Sequence, residues 1–166
     1  MVERFGTTIE WLPFDLHPEY PPEGVPRGPV SEQMQQTFAA NGLVYNPPPI
    51  RPNSMRALRL AEHARAQDRF DPMHRRLMDA YWAEALDIGS PEVLAVLAAE
   101  AGVDGAEQVI AGDDYRDDVR RSTEAAHGMG INGIPAFLLG RRLLVLGAHP
   151  QETFERAFAQ LGSPEV

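Results

Sequence analysis

The stretch Gly130-Ile131-Asn132-Gly133-Ile134-Pro135-Ala136-Phe137-Leu138-Leu139-Gly140-Arg141-Arg142-Leu143-Leu144-Val145-Leu146-Gly147-Ala148 decides the reading of this chain. It opens on a glycine-punctuated turn and sets a proline directly before the apolar run Ala136 to Leu139. Proline has no N–H to give to a ladder, so Pro135 belongs at the first residue of a strand or on an edge. Gly140-Arg141 then forms a two-residue connection with glycine first, which predicts a type II′ turn, and Arg142 to Leu146 returns as the second strand. After Gly147 and Ala148 a helix is expected, with Pro150 in its first turn and Phe154, Phe158 and Leu161 along one face.

That order of Gly-Ile-Pro, strand hairpin and closing helix resembles the C-terminal half of a thioredoxin-like domain, and more narrowly the DsbA family in its FrnE-type branch. The resemblance implies that the Ile134-Pro135 bond is cis. It also implies that the Gly133-Ile134-Pro135 backbone pairs with an extended peptide or small thiol substrate beside a redox-active cysteine pair. Two further segments carry it. Trp11-Leu12-Pro13-Phe14-Asp15-Leu16-His17-Pro18-Glu19 with Pro21-Pro22-Glu23-Gly24 looks like the second strand of FrnE-type proteins and the proline-rich loop after it. The run from Asp71 to Gly102 looks like their helical insertion. On this footing Arg51 and Asn53, flanking Pro52, are substrate-contact candidates.

The chain has 166 residues and no cysteine. Structural disulfides, thiolate metal sites and cysteine nucleophiles are therefore absent, and so is the chemistry that gives the family its activity. No catalytic residue is assigned. The expected function is that of a DsbA-like (FrnE-type) thiol–disulfide oxidoreductase family member, redox-inactive as written. Two alternatives stand beside it. One is a glutathione-dependent relative of 2-hydroxychromene-2-carboxylate isomerase or of kappa-class transferases, with glutathione as co-substrate; the other is a non-catalytic peptide-binding module. No other cofactor is expected.

Composition narrows the partners. The net charge of −9 argues against a nucleic-acid backbone or an anionic membrane as partner. No apolar run reaches 18 residues and the N-terminus lacks a signal-like apolar stretch, so a cytoplasmic location is expected. Asp113, Asp114, Asp117 and Asp118, at i, i+1, i+4 and i+5, are spaced to place two carboxylates on one helical face, but they also suit the positive end of a helix dipole, and no metal is assigned. The five histidines show no paired ligand spacing. Ser122 and Thr123 lack the context of a nucleophile elbow.

Taken in order, Thr7 to Leu16 predicts the first strand, apolar on both faces and interrupted by Pro13. Residues 21–52 read as a proline-rich connector with one short helix, capped by Ser31 and ended at Gly42. From 53 to 129 the pattern is helical: Ser54, Asp71-Pro72, Ser90-Pro91, Asp104 and Asp113 start five elements. The fold class is α/β, a thioredoxin-like sheet with an all-helical insertion, missing the first strand-helix unit. Residues 1–20 and 130–166 form the thioredoxin-like domain and 53–129 the insertion. An incomplete sheet implies an internal methionine as start, a second chain filling the gap, or a rearranged shorter relative. Its open edge predicts a homodimer or partial disorder.

Overall fold

The structure is a computed structural model, and it describes residues 5–162. Among these, residues 13–121 form one compact unit, and residues 5–12 with 122–162 form another. Strands β1 (Val25–Pro26) and β2 (Ile50–Arg51) pair antiparallel, as do β3 (Ala136–Leu139) and β4 (Leu143–Leu146). The helices are α1 (Glu32–Ala40), α2 (Met55–Arg65), α3 (Phe70–Trp82), α4 (Pro91–Glu100), α5 (Ala106–Ala111), α6 (Arg116–Gly128) and α7 (Gln151–Gly162).

In the unit of residues 13–121 the core lies among α2, α3, α4 and α5. Leu60, Met73, Leu94 and Leu97 are fully enclosed there, with alanines 64, 80 and 98 letting the helices approach. Each buried Leu or Met side chain contributes about 1.5–3 kcal/mol of transfer free energy. Helix α4 shows how the sequence sets its own limits. The Ser90 hydroxyl accepts from the Val93 N–H at 3.3 Å, and Pro91 occupies the first helical turn. At the other end Gly102 sits at φ +69°, while the Val103 N–H reaches the Ala98 carbonyl and the Gly102 N–H that of Ala99. That pair of bonds satisfies carbonyls the helix would otherwise leave orphaned.

Two caps differ from expectation. Ser54 makes no side-chain cap; the Asn53 Oδ1 accepts from the Met55 N–H instead, at 3.1 Å. The cap position of α5 is Gly105 at φ +66°, not Asp104, whose carbonyl accepts from the Gln67 side-chain amide and lies 2.7 Å from His63 Nε2. In both cases a neighbour with a better reach or a left-handed conformation took the place that residue preference suggested.

The first strand is not formed. Residues 7–16 run as irregular chain, with Ile9, Trp11, Leu12 and Leu16 exposed. A strand is stabilised by a ladder partner and by cover for its side chains. Pro13 removes a donor from the middle of the segment, and none of residues 7–16 joins a strand. The turn of the second hairpin also differs. Gly140 and Arg141 both have positive φ, +55° and +58°, where a type II′ turn needs it at the glycine alone, and Leu139 pairs with Leu143, so Gly140, Arg141 and Arg142 connect the strands instead of two residues and β4 starts at Leu143 rather than Arg142.

Candidate functional site

Helix α6 ends in the same two-bond pattern as α4. The Ile131 N–H bonds the Ala126 carbonyl and the Gly130 N–H that of His127, with Gly130 at φ +79°. This closure buries Ile131 and releases the chain into Asn132-Gly133-Ile134-Pro135. The Ile134–Pro135 peptide is cis. The Pro135 carbonyl accepts from the Gly147 N–H at 2.8 Å, extending the β3–β4 ladder by one bond at the end away from the hairpin turn.

Residues 133–135 form a bend ahead of β3, and the Ile134 N–H and C=O stand outside the β3–β4 ladder. Among the described residues neither group makes a hydrogen bond, and the Ile134 side chain is 56% exposed.

The hairpin after this bend is firmly seated. Val145 on β4 and Phe154 and Ala157 on α7 are buried together, flanked by Phe137, Leu139, Leu143 and Phe158. Phe137 meets Phe154 edge-on, with ring centroids 4.9 Å apart. Gly140 faces α7 so closely that a Cβ there would lie 3.4 Å from Leu161. Gly133, Ile134 and Pro135 thus lead directly into a hairpin packed against α7.

Arg51 and Asn53 belong to the other unit. Arg51 lies on β2 opposite Val25, with an exposed guanidinium that has no ion pair or hydrogen bond among the described residues. Asn53 is engaged at both ends of its carboxamide: Nδ2 donates to the Tyr20 carbonyl at 2.6 Å and Oδ1 accepts from Met55. Its role is to hold the 20–24 loop against the start of α2. Gly24 makes that loop possible; at φ +76°, a Cβ on it would stand 2.5 Å from the Arg51 carbonyl oxygen.

Three polar residues escaped the sequence reading. Asp15 is buried, and burial pushes its carboxyl above the usual carboxylate range against a lowering hydrogen bond from the His17 backbone. Arg27 anchors the proline segment. Its backbone N–H bonds Pro49, its Nε bonds the carbonyl of fully buried Pro48 at 2.8 Å, and its guanidinium bonds the Tyr81 hydroxyl while lying over that ring. Arg59, 1% exposed, donates to the carbonyls of Val109, Gly112 and Asp114, where α5 ends. Burial is also the main cause that lowers its pKa from the usual guanidinium value. No sequence spacing announces such pairings, because their partners are carbonyls, which every residue has.

The acidic run is spent on local ion pairs: Asp113 bonds Arg116 at 2.7 Å and Asp118 bonds Arg121. Arg116 holds the Asp113 carboxyl below its usual range. Both ring nitrogens of His63 have partners, Tyr115 at one and Asp104 with Gln67 at the other. Among the described residues no three His, Asp or Glu side chains converge as a metal site, and no helix is long and apolar enough to cross a membrane.

Comparison with known proteins agrees with this geometry. The chain is 27% identical over 162 residues to the uncharacterized protein YwbO of Bacillus subtilis (strain 168), covering 91% of this chain and 80% of that protein. The crystal structure of a probable DsbA oxidoreductase from Streptomyces coelicolor superposes with a TM-score of 0.78 at 26% identity, over 92% of this chain and 75% of that one. The family of DSBA-like thioredoxin domains matches residues 1–159. With the proline hairpin, the helices of 53–129 and most of the closing helix inside that match, the chain belongs to the DSBA-like thioredoxin domain family.

Proposed function

We propose that this chain is a substrate-docking member of the DsbA-like thiol–disulfide oxidoreductases, one that holds an extended peptide along Gly133-Ile134-Pro135 and performs no thiol exchange itself. The observation that carries the reading is the unbonded backbone of the exposed Ile134, directly before Pro135. An extended peptide laid antiparallel there gives one N–H to the Ile134 carbonyl and takes the Ile134 N–H on one of its own carbonyls. This is strand addition, in which main-chain bonds supply affinity independent of the peptide's sequence. The exposed Ile134 side chain adds apolar contact. Exchange needs a thiolate as nucleophile, and the chain contains no cysteine to provide one.

The test is amide hydrogen exchange during titration with a short extended apolar peptide. The Ile134 amide should become protected, and Ile134→Pro, which deletes that donor, should weaken binding about tenfold, the equivalent of roughly 1.4 kcal/mol. A peptide that binds with unchanged exchange at 134, and equally well to the proline variant, overturns the reading. Glutathione in place of the peptide separates a small thiol from a peptide substrate: equal protection of Ile134 would move the assignment to the small thiol.

A further inference from the structure

Residues 28–46 pose a physical problem. Helix α1 within them has nine residues, yet it buries none. A helix this short is marginal in water, and helices of this size normally draw their stability from packing an apolar face. The apolar groups exist: Met34 and Phe38 lie four apart on α1, and Val30, Leu43 and Val44 flank it. Phe38 packs against Tyr45 at 4.9 Å and Trp82 at 5.4 Å. Val30, Met34, Leu43 and Val44 all remain exposed, Val44 at 61%.

The two ends of the segment are nevertheless firmly held. At the front, Arg27 fastens β1 to Pro48 and Pro49 and to Tyr81. At the back, the Asn46 N–H donates to the Trp82 carbonyl at 2.6 Å and its side chain donates to that of Ala83. The segment is therefore an arm on a fixed base with an uncovered apolar face.

We propose that this arm is the dimerisation surface of the protein, with α1 and the 43–44 turn of one protomer packing on the same residues of a second copy across a two-fold axis. Charge selects that occupant. Glu32 is the one charged residue of 28–46, in a chain of net −9. A charged partner would find nothing on the arm to recognise, whereas two copies of an acidic protein approach each other best through their neutral patch. Composition agrees, since Met and aromatic side chains are enriched and Asp, Glu and Lys depleted at interface centres. A closed pair needs a self-complementary patch, and a short helix flanked by apolar residues supplies one.

The experiment is the solution mass of the purified chain by light scattering at micromolar concentration, for the wild type and for Val44→Glu and Met34→Glu separately. The wild type should show twice the 18.4 kDa of one chain, and each variant the single mass. Val44 lies in a turn, so its variant keeps the test alive should the helical substitution disturb α1. Hydrogen exchange adds an independent readout. Amides of 32–40 should be protected in the dimer and lose that protection in Val44→Glu, while those of α2 to α4 keep theirs. A wild type of single mass overturns the proposal. So does a doubled mass that survives both substitutions, and a doubled mass abolished by Leu138→Glu on the hairpin would place the interface there instead.

Discussion

At the scale of single residues, Arg59 is the most consequential side chain outside the candidate site. It is enclosed, and its donors satisfy three carbonyls at the end of α5. Arg59→Met keeps much of the volume but leaves those carbonyls without donors, each costing about 1–3 kcal/mol when buried. The expected loss in a urea titration is about 3 kcal/mol, enough to threaten a domain of ordinary stability. His74 gives a pH dependence. Burial, with a smaller effect from Arg65, lowers its pKa from the ordinary 6.5, and Asp71 opposes this only in part. Between the lowered folded value and 6.5 the unfolded chain binds the proton and the folded one does not, so stability is intact above 6.5 and declines as pH falls through the folded value. Because the ring is partly solvated the effect stays under about 1 kcal/mol. Urea midpoints at pH 7.5 and 5.5 should differ less in His74→Gln than in the wild type.

At the scale of elements, Gly24 and the β1–β2 pairing set the position of Arg51. A side chain at 24 meets the Arg51 carbonyl at 2.5 Å in a left-handed backbone, so the strands must separate to admit it. Gly24→Ala should cost about 1–3 kcal/mol through strain and lost pairing. Its signature is chemical-shift change concentrated at 24–27 and 50–53, with the β3–β4 amides unmoved. The hairpin was legible in the sequence as two strands and a tight turn because glycine and proline punctuate it so sharply. The length of its turn was not, since the glycine suits a two-residue connection and only the pairing of Leu139 with Leu143 makes it three. The strand expected at Thr7 to Leu16 shows the limit from the other side. Its apolar residues satisfy a strand pattern, but pairing depends on a neighbour that no local pattern specifies.

At the scale of the whole molecule, family membership and the missing thiol meet. The chain has the DSBA-like domain over residues 1–159 and no sulfhydryl. The expected outcome is no reduction of insulin by the 166-residue chain, with or without a supply of reducing equivalents, and an unchanged melting temperature on adding dithiothreitol. Any turnover above the no-protein control would contradict it. The acidic surplus falls mostly on the helical unit, residues 13–121. The unit that carries Ile134 is closer to neutral, which suits the proposed docking of a main chain rather than of a charged group.

The sequence by itself determined the family, the helix-rich middle, the proline-led hairpin and the absence of cysteine from these 166 residues. These follow from local periodicity, from glycine and proline at fixed positions, and from residue types whose chemistry is present or not. Only the tertiary structure decided that Asn53 rather than Ser54 caps α2, that Arg27 and Arg59 bind distant carbonyls, that 7–16 stays irregular, and that the Ile134 backbone goes unbonded among the described residues. Each of those depends on a partner far away in the chain, and a partner that is a backbone carbonyl, or an unfilled place beside a strand, leaves no mark on the amino-acid sequence.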